Sequence, residues 1–372
     1  MNANRLPDAK RIVVKIGSAL LVDEAHGAVR RHWLETLADD VAACRERGQQ
    51  VVIVSSGAIA VGRRQLDLPK GGLRLDEKQA AAATGMVRLA HAFQETLAHR
   101  HITVAQVLLT LEDSENRRRY LNARNTLEAL LKLGAVPLIN ENDTVATDEI
   151  RFGDNDRLSA RVAAMISAGV LVLLSDIDGL YTSDPRKDPD AAFVPEVREI
   201  TPEIQDMAGH APPGDGTGGM VTKLEAAAIA TNAGSAMVIC DGKPDHPLRG
   251  LEDGARCTWF LPSETPRSAR KHWIAGSLKA HGSITVDDGA LKALRGGKSL
   301  LPAGVVAVEG DFQRGDAVLV KDSSGQEAAR GLCAYSSDDA RTIMGHKSAE
   351  IEGLLGYRGR DEIIHRDDLA LN

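Results

Sequence analysis

The chain has 372 residues, of which 43% are hydrophobic and 26% charged, and its formal net charge is −7. This length exceeds that of one common domain, and the negative charge excludes a general electrostatic affinity for nucleic acid or an anionic membrane. The longest apolar runs have the length of strands and residues 1–10 are too polar for a secretory signal, so we expect a cytoplasmic protein that does not span a membrane.

Strand patterns alternate with helix patterns through the first two thirds of the chain. Apolar runs predict strands over 12–16, 50–54, 103–109, 135–139, 170–174 and 236–239. Periodic segments between them predict helices over 30–47, 76–99, 113–133, 155–167 and 220–232. This alternation predicts an α/β fold with an open, mainly parallel sheet sandwiched by helices. Ligands of such folds bind beyond the carboxyl ends of the strands.

The first predicted strand contains a lysine, Lys15, and is followed by Gly17. A lysine in a buried apolar run is costly to desolvate unless an anion lies beside it. The pattern therefore indicates an anion site at the end of this strand. A side chain that merely extends from the strand end into water is the alternative.

A polar cluster follows the fourth predicted strand and extends from Asn140 to Asp156. Asp154 fits the N-cap of the next helix, but two asparagines and two acids directly after a buried strand are more than a cap needs. Carboxylates and amide oxygens can hold an ammonium group, whereas amide N–H groups and Ser56, which follows the second strand, can hold a carboxylate. This mixture suits an amino acid as ligand.

A glycine-rich segment, residues 214–223 (GDGTGGMVTK), leads into a predicted helix. Its glycines let backbone N–H groups approach an anion, the helix start adds the positive end of its dipole, and Lys223 adds a full charge. The segment lacks the spacing of a Walker A loop. We predict a phosphate-binding loop here, and a surface loop without a ligand is the alternative.

The composition changes near residue 250. Segment 253–270 contains prolines and little periodicity, and short apolar runs over 283–286, 304–308, 317–320 and 329–334 then predict a small, mostly β domain. Acidic residues outnumber basic ones in this tail, which argues against a nucleic-acid interface. We expect one domain over 8–255, a linker over 256–276 and a second domain over 277–372. The four cysteines lie far apart in sequence, without a CxxC pair, and are interpreted as reduced structural thiols.

Seven segments carry a family resemblance: 13–17 (VVKIG), 52–60 (VIVSSGAIA), 121–124 (LNAR), 136–143 (VPLINEND), 153–156 (GDND), 178–185 (DGLYTSDP) and 216–223 (GTGGMVTK). They resemble glutamate 5-kinases, which belong to the amino acid kinase superfamily, along almost the whole chain. The DGLYT element is shared across the superfamily, whereas SSGAIA and INEND are specific to the glutamate branch. Segments 299–304 (SLLPAG) and 314–316 (RGD) resemble a PUA domain.

The resemblance implies ATP-dependent phosphorylation of the γ-carboxylate of L-glutamate with Mg²⁺, the first step of proline biosynthesis. It implies that Ser56, Asp143 and Asn155 hold glutamate. It implies catalytic roles for Lys15, Lys223 and Asp156, with Asp156 between the lysines and orienting them, and it assigns no metal ligand. The implied ATP site comprises Lys15, Gly17, Ser175, Asp176, Thr217, Gly218, Gly219, Met220, Val221, Thr222 and Lys223.

The resemblance also implies partners. They are proline as a feedback inhibitor, a glutamate-5-semialdehyde dehydrogenase that consumes the product, and further copies of this chain in a dimer or tetramer. Two alternatives remain at this point. One is an amino acid kinase with acetylglutamate or aspartate as acceptor, and the other is an RNA-binding protein that acts through the PUA-like domain.

Overall fold

The computed structural model describes residues 5–23, 28–69, 71–145, 155–209, 219–276 and 280–371. The chain divides into two compact units: Met1–Glu115 with Asn122–Pro266, and Asn116–Leu121 with Arg267–Asn372. Within the described ranges, every helix is too short or too polar to cross a bilayer.

The first unit is built on an eight-stranded sheet. Its strands, with those of two small hairpins, are β1 (Arg11–Ile16), β2 (Val22–Asp23), β3 (Ala28–Val29), β4 (Gln50–Ser55), β5 (Val104–Leu109), β6 (Val136–Glu141), β7 (Val170–Ser175), β8 (Leu180–Tyr181), β9 (Phe193–Val194), β10 (Glu196–Val197), β11 (Ala236–Asp241) and β12 (Cys257–Phe260). The strand order is β10-β12-β11-β7-β1-β4-β6-β5, and every pair of neighbours is parallel except β11 and β12. The predicted open, mainly parallel sheet is confirmed.

Helices cover the sheet because the buried strands carry apolar side chains on both faces. The helices of this unit are α1 (Ser18–Leu21), α2 (Arg31–Glu46), α3 (Ala58–Gln65), α4 (Leu75–Ala98), α5 (Leu111–Glu115), α6 (Arg117–Lys132), α7 (Asn155–Met165), α8 (Pro202–Asp206), α9 (Met220–Asn232) and α10 (Pro247–Glu252). The first residues of α6 are assigned to the second unit, and α11 (Pro266–Gly276) belongs to the second unit from Arg267 onward. Trp33 of α2 and Phe93 of α4 are among the largest fully buried side chains of this core.

Helices α3 and α4 pack with their backbones in contact. A Cβ atom added to Gly62 would overlap the carbonyl oxygen of Ala81, and one added to Gly85 would overlap that of Ala58. Helix α3 begins directly after Gly57, which has φ of +96° and so favours glycine. This close packing places the start of α3, which two residues separate from the end of β4, directly against α4.

The second unit contains the strands β13 (Gly282–Val286), β14 (Val305–Gly310), β15 (Ala317–Lys321), β16 (Glu327–Leu332) and β17 (Leu369–Leu371), in the order β14-β13-β15-β16-β17. It also contains α12 (Asp288–Arg295), α13 (Ser337–Ile343) and α14 (Ile351–Leu355). Phe312 and Tyr335 are the largest side chains of its own buried core. The predicted small, mostly β domain is confirmed.

Some local features differ from the sequence predictions. The single helix predicted over 113–133 is divided into α5 and α6, and Asp113 accepts hydrogen bonds from the backbone and hydroxyl of Thr110 at the start of α5. The segment predicted as a linker, 256–276, contains β12 and α11. The placement of the domain boundaries at 255 and 277 stays a prediction.

Candidate active site

Polar side chains from β1, α7 and α9 meet at the carboxyl edge of the sheet. The Nζ atom of Lys15 lies 2.6 Å from Oδ1 of Asp156, and the Nζ atom of Lys223 lies 3.2 Å from Oδ2. The hydroxyl of Thr222 donates to the same Oδ2 at 3.0 Å. Lys15, Asp156 and Lys223 are only 7%, 2% and 4% exposed. The structure thus brings these three residues together, and their catalytic role stays a prediction.

The charges of this trio do not cancel. Burial alone would raise the pKa of Asp156, but the positive charges and hydrogen bonds of Lys15 and Lys223 outweigh it and lower the pKa to about 2. Asp156 is therefore ionised at neutral pH. One carboxylate between two ammonium groups leaves the trio with a net positive charge in a place shielded from water, which favours the binding of an anion.

The start of α9 borders the trio. Gly219 is the N-cap of this helix, and a Cβ atom added there would meet no described atom within 4 Å. Met220 and Val221 form the first turn, whose N–H groups have no partner within the helix. Thr217 and Gly218, also predicted to bind ATP, lie outside the described residues.

The other residues predicted to bind ATP lie at the ends of neighbouring strands. The N–H of Gly17, after β1, donates to the carbonyl of Leu174 in β7 at 3.3 Å. The hydroxyl of Ser175 donates to Oδ1 of Asp176 at 3.2 Å. Lys243, which follows β11, donates to the carbonyl of Asp176 at 2.7 Å. Lys243 was not among the residues predicted from the sequence to bind ATP. Its position in an Asp-Gly-Lys segment after a predicted strand could have indicated it.

Asn155 is held at the start of α7 by three acceptors. Its Nδ2 donates to the carbonyl of Ser55 at 2.9 Å, to Oγ of Ser56 at 2.9 Å and to Oδ1 of Asn140 at 3.2 Å. The backbone N–H of Glu141 donates to the same oxygen of Asn140. Since a carbonyl can only accept, these contacts fix which end of the Asn155 amide faces the protein. Asn140 is thus a structural partner of the predicted site that received no individual role from the sequence.

Besides Oδ1 of Asp156, which lies beside Lys15, two buried oxygens have no hydrogen-bond partner among the described residues: Oδ1 of Asn155 and Oδ1 of Asp143. Asp143 follows β6, the sheet neighbour of β4, which precedes Ser56. Buried acceptors are nearly always paired in folded proteins, so an unpaired one calls for a donor from a ligand. These oxygens suit an ammonium group, and Asn155 is adjacent in sequence to Asp156 of the trio.

The environment of Asp143 makes its charge sensitive to pH. Burial, together with the nearby charge of Glu141, raises the pKa of Asp143 to about 7. The carboxyl group is therefore partly protonated near neutral pH. A bound ammonium group would favour the ionised form and lower this pKa.

If Asp143 binds the ammonium group of an amino acid substrate, the KM for that substrate should rise as the pH falls below about 7. The rise should approach roughly tenfold per pH unit, because only the ionised carboxylate attracts the cation. Initial rates measured between about pH 5.5 and 8.5, at saturating concentration of the second substrate, test this. Asp143→Asn should remove the dependence, and a pH-independent KM in the unmodified protein would contradict the assignment.

Comparisons with known proteins agree with these features. The amino acid kinase family model matches residues 10–241, and the PUA domain model matches residues 282–355. The chain is 68% identical to glutamate 5-kinase from Paramagnetospirillum magneticum, over 98% of this chain and 99% of that protein. It is 64% identical to glutamate 5-kinase from Rhodospirillum rubrum, over 97% and 96%. A carbamate kinase from Giardia lamblia bound to AMP-PNP is similar in fold, with a TM-score of 0.50, 16% identity, and coverage of 69% of this chain and 100% of that chain.

Proposed function

Because the chain belongs to the glutamate 5-kinase family, a branch of the amino acid kinases, we propose that it transfers the γ-phosphate of ATP to the γ-carboxylate of L-glutamate. The family resemblance seen in the sequence is confirmed by these relatives. The product is γ-glutamyl 5-phosphate, the first intermediate of proline biosynthesis. One observation supports the proposal most: two buried lysines share the buried carboxylate of Asp156, and the preceding residue, Asn155, carries a buried amide oxygen that has no described partner.

The residues present fit the phosphates of ATP. The net positive trio of Lys15, Asp156 and Lys223 offers charge, and Gly219 lies at a helix start where no described atom would meet an added Cβ atom. Mg²⁺ bound to the phosphate oxygens would supply further neutralisation of charge. We assign no protein ligand to this ion, and the described residues hold no group of three or more His, Cys, Asp or Glu side chains suited to a metal.

Glutamate fits the second part of the site. We assign its α-ammonium group to Oδ1 of Asn155 and to the carboxylate of Asp143, which are buried acceptors without a described donor. The Ser56 hydroxyl, which accepts from Asn155, keeps its own proton to donate to a carboxylate of the substrate. The adjacent positions of Asn155 and Asp156 on α7 would then couple the amino acid to the phosphate-binding trio.

The chemistry requires no protein base. The γ-carboxylate of glutamate is ionised at neutral pH, so the barrier comes from repulsion between two anions and from the need for in-line alignment. Lys15 and Lys223 would stabilise the negative charge that the transition state spreads over the attacking and leaving oxygens. Asp156 would hold both ammonium groups in position without taking up a proton, since its pKa is about 2.

We assign regulation and partners on chemical grounds as well. Proline carries a cationic α-nitrogen, a secondary ammonium group, and an α-carboxylate, so as a feedback inhibitor it would meet the same acceptors as glutamate. The product is an acyl phosphate, which hydrolyses readily, and a dehydrogenase that reduces it, glutamate-5-semialdehyde dehydrogenase, would be the partner. A homo-oligomer, dimer or tetramer, is part of the same proposal.

The direct test is ATP-dependent formation of γ-glutamyl hydroxamate from glutamate in the presence of hydroxylamine. We expect hydroxamate with L-glutamate and far less with acetylglutamate or aspartate. The acceptors on Asn155 and Asp143, which lack a donor among the described residues, require a free ammonium group at a set distance from the reacting carboxylate. Omission of ATP or Mg²⁺ should abolish the signal. Equal rates with acetylglutamate would contradict the assignment of the acceptors.

A further inference from the structure

Two of the four cysteines, interpreted from the sequence as separate structural thiols, lie opposite each other in the structure. Cys240 near the end of β11 and Cys257 at the start of β12 are partners in the antiparallel register. Both are free thiols, and both pack on the same hydrophobic core. Opposite residues of an antiparallel pair project to the same face of a sheet, so the two thiols are cross-strand neighbours.

The direction of the hydrogen bonds along β12 shows whether Cys240 and Cys257 form a hydrogen-bonded or a non-hydrogen-bonded pair. The N–H of Trp259 donates to the carbonyl of Pro195, which precedes β10, and therefore points away from β11. Backbone groups alternate in direction from one residue to the next, so residues two apart point the same way. The backbone groups of Cys257, two residues before Trp259, therefore also point away from β11.

The hydrogen bonds of β11 likewise show that the backbone groups of Cys240 do not face β12. The N–H of Ala236 donates to the carbonyl of Gly169, which precedes β7, and so points toward β7. Cys240 lies four residues further along β11, an even number, so its backbone groups also point toward β7. Cys240 and Cys257 thus form a non-hydrogen-bonded pair. In such pairs the Cα atoms are about 4.5 Å apart. Disulfides span Cα separations of about 4.4 to 6.8 Å, and the separation expected for this kind of pair lies within that range.

The two thiols differ in access. Cys240 is 2% exposed, whereas Cys257 is partly exposed and lines a cavity of about 300 Å³ together with Phe193, Arg256 and Trp259. A small oxidant can therefore reach Cys257 first, with Cys240 behind it as the second thiol. Burial raises the pKa of both thiols, which makes the reaction slow and dependent on sustained oxidant.

We propose that Cys240 and Cys257 are a redox-active pair that closes to a reversible cross-strand disulfide under peroxide. The sulfur of Cys257 attacks hydrogen peroxide, an S–O bond forms as the O–O bond breaks, and one water leaves. The sulfur of Cys240 then attacks the resulting sulfenic acid, an S–S bond forms as the S–O bond breaks, and the hydroxide leaves as water with the Cys240 proton. Two thiols and one peroxide thus give one disulfide and two waters, and an added dithiol reverses the change.

The pair lies beside the segment expected to bind nucleotide. Cys240 is followed by Asp241, which accepts from the N–H of Lys243, and Lys243 in turn donates to the carbonyl of Asp176. A covalent link at Cys240 restrains this segment, so the oxidised protein should have a several-fold higher KM for ATP with little change in the KM for glutamate. This second step rests on the proposed kinase function, whereas formation of the disulfide does not.

The test uses the full chain, reduced, freed of reductant and treated with hydrogen peroxide, then alkylated and analysed by intact mass and non-reducing peptide mapping. We expect two alkylated thiols instead of four and a peptide that links residues 240 and 257. Cys257→Ser, at a partly exposed position, should abolish the link, and Cys44→Ala, which removes a thiol of the same core elsewhere, should keep it.

Four alkylated thiols after prolonged peroxide treatment, or a link that involves Cys44 or Cys333, would overturn the proposal. If the disulfide forms and the KM for ATP is unchanged, the coupling to the nucleotide site is wrong. A reduced protein that forms the disulfide on oxidation but never makes hydroxamate would contradict the kinase function and leave the redox pair supported.

Discussion

Replacing Lys15 or Lys223 by methionine should lower kcat by about 100-fold or more, because each ammonium group stabilises charge that develops only in the transition state. Methionine keeps the length of the side chain and removes its charge. The KM for glutamate should change much less than kcat. Rates of hydroxamate formation at varied ATP and glutamate measure both parameters. Arginine at either position should not restore the rate, since its planar group cannot replace a compact ammonium group.

Stability separates a chemical effect from a folding defect in these variants. After loss of one lysine, Asp156 still pairs with the other, so the melting temperature should stay near that of the unmodified protein. Asp156→Asn should instead lower both kcat and the melting temperature, because it leaves two buried ammonium groups without their carboxylate. Lys10→Met, the same change at an exposed position just before β1, is the control and should have normal kinetics. A folded Lys15→Met protein with normal kcat would refute the proposed mechanism.

Replacing Asp143 or Asn155 by alanine should raise the KM for glutamate by about 10- to 100-fold with little effect on the KM for ATP. Each change removes a buried acceptor for the α-ammonium group, and a hydrogen bond to a charged group contributes about 1.5–3 kcal/mol. Steady-state kinetics with each substrate varied in turn measure the two constants.

The exposed neighbour Thr144 provides the matched control for this pair, and Thr144→Ala should leave both constants unchanged. Asn155→Ala also removes the donor to Ser55 and Asn140, so its melting temperature must be measured beside its kinetics. Equal increases in both KM values, in a folded protein, would mean that these side chains do not separate the amino acid from the nucleotide.

The sequence predicted the central sheet well, because buried parallel strands appear as uninterrupted apolar runs. The six predicted strands correspond to β1, β4, β5, β6, β7 and β11 with small shifts of their ends. Short elements escaped prediction. Strand β12 has only four residues and lies in a segment that contains prolines and glycines. Helix α3 has only eight residues and packs against α4 through Gly62 and Gly85. Such elements are set by tertiary packing, which local patterns do not contain.

The site could be predicted only in part, because its geometry also depends on tertiary packing. Lys15 was found from its burial cost and Lys223 from the glycine-rich segment before it, and the family resemblance added Asp156. The distances between these three side chains depend on how β1, α7 and α9 converge. The pairing of Cys240 with Cys257 depends on the register of an antiparallel pair. That register was beyond a sequence analysis which had not predicted β12 as a strand.

The burial of Asp143 has a consequence for any attempt to stabilise this protein. Its pKa of about 7 in the fold exceeds the ordinary value of 3.8, so the folded chain retains a proton that the unfolded chain releases. The resulting destabilisation is absent below about pH 4, grows as the pH rises to 7 and is constant above it. Asparagine at this position would remove that cost together with the affinity for the substrate. A screen for thermostable variants without an activity assay would therefore select against function at residue 143, where stability of the empty protein and recognition of its ligand are opposed.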